Sequence, residues 1–287
     1  MRLLLLLLVA ATAAAQSGPR VQISNTTESL RGVSAVSKEV AWASGTHGTY
    51  LRTIDGGRTW IPGQVPDASA VDFRAVVAFS AEEAFLLSAG PGDQSRIYYT
   101  SDRGKQWRLQ FTNTNPKGFF DSMVFWDSRH GVVLGDPIPD ESGKLKFEVL
   151  LTDDGENWRV VPPVRLPDAL EGEGAFAASN TCIALAPVRS DTNLWFATGG
   201  KVARVFHSSD RGQSWQVFDT PMVHGPDSAG IFSIAFRDAI VSTQRSSFEP
   251  SVRRGYARSA ARNVSWNASS ASFDPTATVR NRYTVAR

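Results

Sequence analysis

One pattern, Asp-x-Gly-x-x-Trp, recurs four times along this chain and constrains its fold more than any other feature. The copies are Asp55-Gly57-Trp60, Asp102-Gly104-Trp107, Asp153-Gly155-Trp158 and Asp210-Gly212-Trp215, with successive aspartates 47, 51 and 57 residues apart. Two places before each Asp stand Thr53, Thr100, Leu151 and Ser208. Repetition at this period marks stacked structural units, none of which buries its apolar face alone. The residue types spell a turn. An Asp carboxylate accepts hydrogen bonds from backbone N–H groups just after it, and a Gly two residues on takes positive φ without steric cost. A Ser or Thr hydroxyl bonds within the same loop. Leu151 has no hydroxyl, so the third turn is expected to be the weaker one. Each Trp opens the next strand, where its ring is expected to be buried between neighbouring sheets.

Three short apolar runs precede each copy. The first unit has 33–36, 40–45 and 49–52; the second has 74–79, 84–87 and 96–99. The third has 122–126, 131–135 and 147–150, and the fourth 175–178, 194–197 and 204–206. Helical periodicity is absent, and β-branched and aromatic residues bounded by turn signals read as strands. Units of four short strands at this period are blades of a β-propeller. The expected fold is therefore all-β, with about four complete four-stranded blades over residues 16–238 in a ring that is incomplete.

The pattern Ser/Thr-x-Asp-x-Gly-x-x-Trp resembles the Asp-box, or bacterial neuraminidase repeat, of sialidases and other propellers. With a Gly-closed second strand, as in Ala41-Trp42-Ala43-Ser44-Gly45 and Gly131-Val132-Val133-Leu134-Gly135, it is more similar to the photosystem II stability and assembly factor family and its exported bacterial relatives. The resemblance covers roughly residues 21–238. It implies a propeller whose charged, Arg-bearing face binds a partner, and it says more about architecture than about activity.

The two ends of the chain differ from the repeats. Residues 1–15, a short basic start followed by an apolar run ending Ala13-Ala14-Ala15, read as a cleaved signal peptide. The run is too short to span a bilayer, so the expected location is secreted or periplasmic, with no membrane span after signal removal. A fifth unit begins at Gly230, and its pattern stops at Asp238. Residues 239–287 hold eight Arg, no Lys and two acids, giving +6 against +2 for the whole chain, so residues 1–238 carry −4. This Arg/Ser-rich tail reads as frame-shifted or disordered and is expected to add no regular blade.

Composition excludes several functions. A net charge of +2 gives no electrostatic case for nucleic acid. Cys182, the single cysteine, cannot form an internal disulfide or a cysteine zinc site, and within its apolar run it reads as a buried structural thiol. His47, His130, His207 and His224 are dispersed, and no Gly-x-Ser-x-Gly elbow or phosphate loop is present. No metal, no cofactor and no catalytic residue is therefore assigned. Asp121, Asp136, Glu171 and Glu173 would suit glycoside chemistry, but spacing alone pairs none of them.

What remains is the axial face. Aligning the first strands places Arg31, Arg74 and Asp121 at equivalent positions near the channel mouth, with Glu173 one residue out of register in the fourth unit. The loops between second and third strands add His47, Arg96 and Arg204. The expected binding rim is Arg31, Arg74, Arg96, Asp121, Glu173 and Arg204. The expected function is an exported, non-enzymatic propeller gripping a protein or peptide partner. The alternative is a glycoside hydrolase of sialidase type, which would need an arginine cluster and a Tyr–Glu pair. Phe73-Arg74-Ala75-Val76 lacks the Ile-Pro that follows Arg in that group, and no Tyr–Glu pair is identifiable.

Overall fold

The computed structural model describes residues 21–177, 180–186, 192–236, 254–258 and 263–267. Residues 1–15, read as a signal peptide, lie outside the described residues, as does most of the tail. The first antiparallel meander contains β1 (Leu30–Ala35), β2 (Ala41–Gly45), β3 (Thr49–Thr53) and β4 (Ile61–Gln64). The second contains β5 (Asp72–Ala78), β6 (Ala84–Ala89), β7 (Arg96–Thr100) and β8 (Arg108–Thr112). The third contains β9 (Phe120–Phe125), β10 (Gly131–Pro139), β11 (Leu145–Thr152) and β12 (Arg159–Val160). A ribbon of β13 (Glu173–Gly174) and β16 (Gly199–Gly200) flanks the fourth sheet, which contains β14 (Ile183–Leu185), β15 (Leu194–Ala197), β17 (Arg204–Ser208) and β18 (Gln216–Asp219). A three-stranded sheet follows, made of β19 (Ser233–Phe236), β20 (Arg254–Arg258) and β21 (Asn263–Asn267). Two tail segments, β20 and β21, are thus strands; the rest of residues 239–287, on which the expectation of no regular blade falls, lies outside the described residues.

The expected β-propeller architecture is present. The first strands of successive sheets, β1, β5, β9, β14 and β19, pack against one another and form the innermost layer. Apolar layers lie between the sheets. Aromatic packing is clearest at the first of them, where Trp42 and Tyr50 meet Phe73, Leu86 and Tyr98. Phe85, Leu87 and Ile97 meet Met123, Val133 and Leu150 in the next. Val132, Phe147 and Val149 then meet Ile183, Phe196 and Phe206, and Trp195 and Val205 meet Ile231 and Ile234. Strand β6 explains the pattern: all six of its residues are buried, with Leu86 facing one layer and Phe85 and Leu87 the other. A strand apolar on both faces reads as a continuous run because successive side chains point to opposite sides.

Three of the four turns form as their residue types dictate. The Thr53 hydroxyl donates to Asp55 Oδ1 at 2.9 Å, Gly57 N donates to Thr53 Oγ1 at 2.9 Å, and Thr59 N donates to Asp55 Oδ1 at 2.9 Å. Thr100 with Asp102, and Ser208 with Asp210, repeat the arrangement. Gly57, Gly104 and Gly212 all stand at φ near +80°, where a side chain would be strained.

The third turn departs from the expected alignment. Thr152, not Leu151, supplies the hydroxyl, and Asp154, not Asp153, supplies the carboxylate. Gly155 N donates to Thr152 Oγ1 at 2.9 Å, and Glu156 N and Asn157 N both donate to Asp154 Oδ1 at 2.8 Å. Asp153 points to solvent and pairs with Arg159 at 3.0 Å. The turn is one residue shorter than its counterparts, so the expected weakness is absent.

The tryptophans need a second correction. Trp215 is buried, whereas Trp60, Trp107 and Trp158 are half-buried. Each stands immediately before an outermost strand; Trp107 Nε1 is buried without a partner, while Trp215 Nε1 donates to Gly212 O at 2.9 Å. Trp60 Nε1 finds Gln22 and Trp158 Nε1 finds Gln110, at 2.8 and 3.0 Å.

Candidate functional site

In an antiparallel meander the start of the first strand, the start of the third and the end of the second share one end of the sheet. Arg31, Arg74 and Asp121 lie within the first three residues of β1, β5 and β9, while Arg96 and Arg204 begin β7 and β17. The Asp turns join third to fourth strands and therefore lie at the opposite end.

A shared backbone device holds the first three residues. Leu30 pairs with Gly45 and Gly32 with Ser44, so Arg31 is left over as a bulge. Phe73 pairs with Ser88 and Ala75 with Leu87, leaving Arg74. Phe120 pairs with Gly135 and Ser122 with Leu134, leaving Asp121. The equivalence expected from the sequence is thus a recurring β-bulge, which frees a side chain from the alternation of its strand and re-aims it. By the same pairing the fourth sheet places Thr181 at this position, because Ala197 N bonds to Cys182 O just beyond the Ile183–Phe196 pair.

Glu173 therefore does not occupy the bulge position of the fourth unit. Residues 175–178 were expected as the first strand of the fourth unit, but β14 begins only at Ile183. A connection of 22 residues separates Val160 from Ile183, against seven between the first and second sheets. This detour carries Glu173 into the ribbon with β16, where it grips Arg204. Arg204 Nε lies 3.0 Å from Glu173 Oε1 and Nη2 lies 2.5 Å from Oε2, with Thr198 Oγ1 donating to Oε1 at 2.7 Å. Arg204 also donates to Asp168 O at 2.9 Å. Both side chains are buried, so the pair anchors the detour and offers no exposed rim.

Arg96 is also occupied locally. It donates to Asp93 O and lies 3.4 Å from the Tyr98 hydroxyl. His47 pairs with Glu28 at 2.7 Å. Arg31 is exposed and has no hydrogen bond or ion pair among the described residues.

The structure does bring Arg74, Asp121 and Asp136 together. Asp121 is 1% exposed, and its Oδ2 has no hydrogen-bond partner; Arg74 Nε is likewise buried and unpartnered. Burial pushes the Asp121 carboxyl well above the usual carboxylate range, Asp136 raises it further, and the Arg74 guanidinium pulls it back. Burial also raises Asp136, against a hydrogen bond from Ala175 N at 2.9 Å. Arg74 Nη1 donates to Ala177 O at 3.4 Å. Beneath the cluster, Ser122 Oγ and Cys182 Sγ are 2.9 Å apart, and burial followed by the Asp121 charge pushes the thiol up to about 12. The expected buried thiol is what the fold contains.

The sequence marked Asp136 only as a carboxyl suited to glycoside chemistry that spacing paired with nothing, and not as part of the rim. It follows Gly135 at the point where β10 runs on past the length of other second strands. Glu148 accepts from Asn113 Nδ2 at 2.6 Å, and burial raises its carboxyl too. Its position inside β11 gave no cue. Among the described residues no cluster of His, Cys, Asp and Glu is arranged to hold a metal.

No protein-family model matches the chain. A curated photosystem II stability/assembly factor, HCF136 of Arabidopsis thaliana chloroplasts, is 35% identical over 85 residues, which is 28% of this chain and 19% of that protein. The match thus spans about a fifth of the relative's length. Among solved structures, YCF48 bound to D1 peptide aligns over 83% of this chain and 92% of its own, at 18% identity and a TM-score of 0.28. The GH74 xyloglucanase of Xanthomonas campestris aligns over 84% of this chain and 37% of its own, at 15% identity and a TM-score of 0.51. An ancestral GH74 enzyme aligns over 86% and 32%, at 14% identity and a TM-score of 0.54. At such identities the similarity bears on the fold alone, and the fold is that of a β-propeller.

Proposed function

We propose that this protein is an exported, non-enzymatic propeller that binds a polypeptide partner at the end of the sheets carrying Arg31 and Arg74, as an assembly or stability factor does. The observation that carries the reading is the recurring bulge, which re-aims Arg31, Arg74 and Asp121 from three successive inner strands toward one end of the molecule. Bulges of this kind sit beside functional sites more often than elsewhere in sheets. The 85-residue match to a stability/assembly factor points the same way. Within this reading the Asp-x-Gly-x-x-Trp turns are Asp-boxes with a scaffolding role, remote from the partner.

The test is capture of partners from an extract of the producing cells by the wild-type protein and by an Arg31→Ala/Arg74→Ala variant. Loss of specific partners in the variant supports the reading, and identical partners in both overturn it. Edman sequencing of the secreted protein beginning at Gln16 would support export, and retention of Met1 would count against it.

A second reading, a glycoside hydrolase, has one observation in its favour: Asp121 is buried beside the half-buried Asp136, burial raises both carboxyls, and a raised carboxyl is the usual general acid of such enzymes. Hydrolysis of fluorogenic glycosides, abolished by Asp121→Asn, would replace the binding proposal with this one.

A further inference from the structure

The detour between the third and fourth sheets passes directly over the Arg74–Asp121–Asp136 cluster. Glu173 is tied to Arg204, and the next residues cross the cluster using backbone atoms. Ala175 N donates to Asp136 Oδ1 at 2.9 Å, and Ala177 O accepts from Arg74 Nη1 at 3.4 Å. Both residues are alanines, so the contacts carry no side-chain information. Between them Phe176 stacks on Phe232, with ring centroids 4.0 Å apart and planes 21° from parallel. The fit is incomplete, because Arg74 Nε and Asp121 Oδ2 remain buried without partners.

We propose that residues 175–177 are an internal stand-in for the polypeptide partner, and that the partner displaces them to place its own main-chain amides on Arg74, Asp121 and Asp136. The inference rests on the polypeptide-binding reading and names what the site recognises. The chemistry of the cluster selects a neutral amide. A ligand carboxylate would meet the carboxyls of Asp121 and Asp136, and an ammonium would meet the Arg74 guanidinium. A peptide group supplies a C=O for the donor and an N–H for the acceptor at once. It suits Asp121 in either protonation state, since a carboxylate accepts from N–H and a carboxylic acid donates to C=O. An incoming strand that also reaches Arg74 Nε and Asp121 Oδ2 makes bonds the internal segment does not make. Displacement then lowers the apparent affinity by the fraction of molecules already open.

The probe is a blocked trialanine peptide, acetylated and amidated, with its N-methylated analogue, acetate and methylammonium as controls. Binding is followed at the Nε–Hε resonance of Arg74, identified by its loss in Arg74→Lys. Trialanine is expected to bind saturably and the three controls not to bind. Phe176→Ala, which releases the stack on Phe232, is expected to tighten trialanine binding severalfold. Hydrogen exchange at Ala175 N is expected to accelerate when peptide is added to the wild-type protein. Equal binding of the N-methylated peptide or of acetate would overturn the inference, as would unchanged affinity in Phe176→Ala with unchanged Ala175 exchange. In those cases loss of partners from Arg31→Ala/Arg74→Ala would leave the polypeptide reading standing. Absence of peptide binding to both wild type and Phe176→Ala, together with unaltered partner capture by the double arginine variant, would remove both.

Discussion

Arg74 and Asp121 occupy the same bulge of two successive inner strands, and no hydrogen bond or ion pair joins them. Their electrostatic coupling is nevertheless direct, since the guanidinium pulls the Asp121 carboxyl down while burial and Asp136 push it up. Because neither bonds the other, Arg74 Nε and Asp121 Oδ2 keep their hydrogen-bonding capacity for a third party.

That balance predicts an unusual pH profile. For Asp121, Asp136 and Glu148 the folded pKa is raised, so the native state binds more protons than the unfolded chain between the ordinary and the raised values. Stability from these groups is fully present below the ordinary carboxyl pKa and is lost as pH rises through the folded values. The turn aspartates behave oppositely. A backbone hydrogen bond from Thr59 lowers Asp55, one from Gln106 lowers Asp102 and one from Asn157 lowers Asp154. Their contribution is present above the ordinary pKa and lost as pH falls below it. Urea midpoints are expected to peak on the acidic side of neutrality, and Asp121→Asn should flatten the alkaline limb. A midpoint that rises steadily from pH 5 to pH 8 would contradict this.

The shifted third turn gives a second prediction. Thr152→Val leaves the buried Gly155 N–H without its acceptor, at an expected cost of about 1–3 kcal/mol. Asp153→Ala removes only a surface pair with Arg159 and should leave the unfolding midpoint unchanged. Chemical denaturation of the two variants separates the alignments, because the original one reverses their order.

Breaking the Glu173–Arg204 pair should be severe. Arg204→Met strands a buried carboxylate, and about 3–5 kcal/mol is expected for a broken buried ion pair. Glu173→Leu combined with Arg204→Met removes both charges and should recover most of the loss. A double variant no more stable than Arg204→Met would show that the charges matter less than the shape they fill.

Cys182 offers a direct probe of this region. Its thiol, pushed up to about 12 and fully buried, should not react with iodoacetamide at pH 8 in the folded protein. Alkylation should track the denaturation curve, whereas rapid labelling under native conditions would contradict the burial.

The sheets were legible in the sequence because each depends on local chemistry: apolar runs of strand length, and turns whose Asp, Gly and hydroxyl act within a few residues. The equivalence of Arg31, Arg74 and Asp121 was legible for the same reason, since it follows from counting along first strands. The shift of the third turn is also written in its spacing: Trp158 lies six residues after Thr152, whereas Trp60 lies seven after Thr53. The fourth unit was not legible. Residues 175–178 are as strand-like as any first strand, but Glu173 is captured by Arg204, 31 residues away. That long-range pair holds residues 175–177 across the end of the sheets, and local propensity gives no sign of it.

The bulge has a consequence for how such a chain can diversify. A residue outside the ladder has no cross-strand partner to satisfy, so exchanging Arg31 or Arg74 for an acid, or Asp121 for a hydroxyl as at Thr181, leaves the sheet's pairing intact. Each of these units therefore contributes one interchangeable position at the same end of the sheets. Specificity can be rewritten there one unit at a time while the stacked apolar layers stay the same.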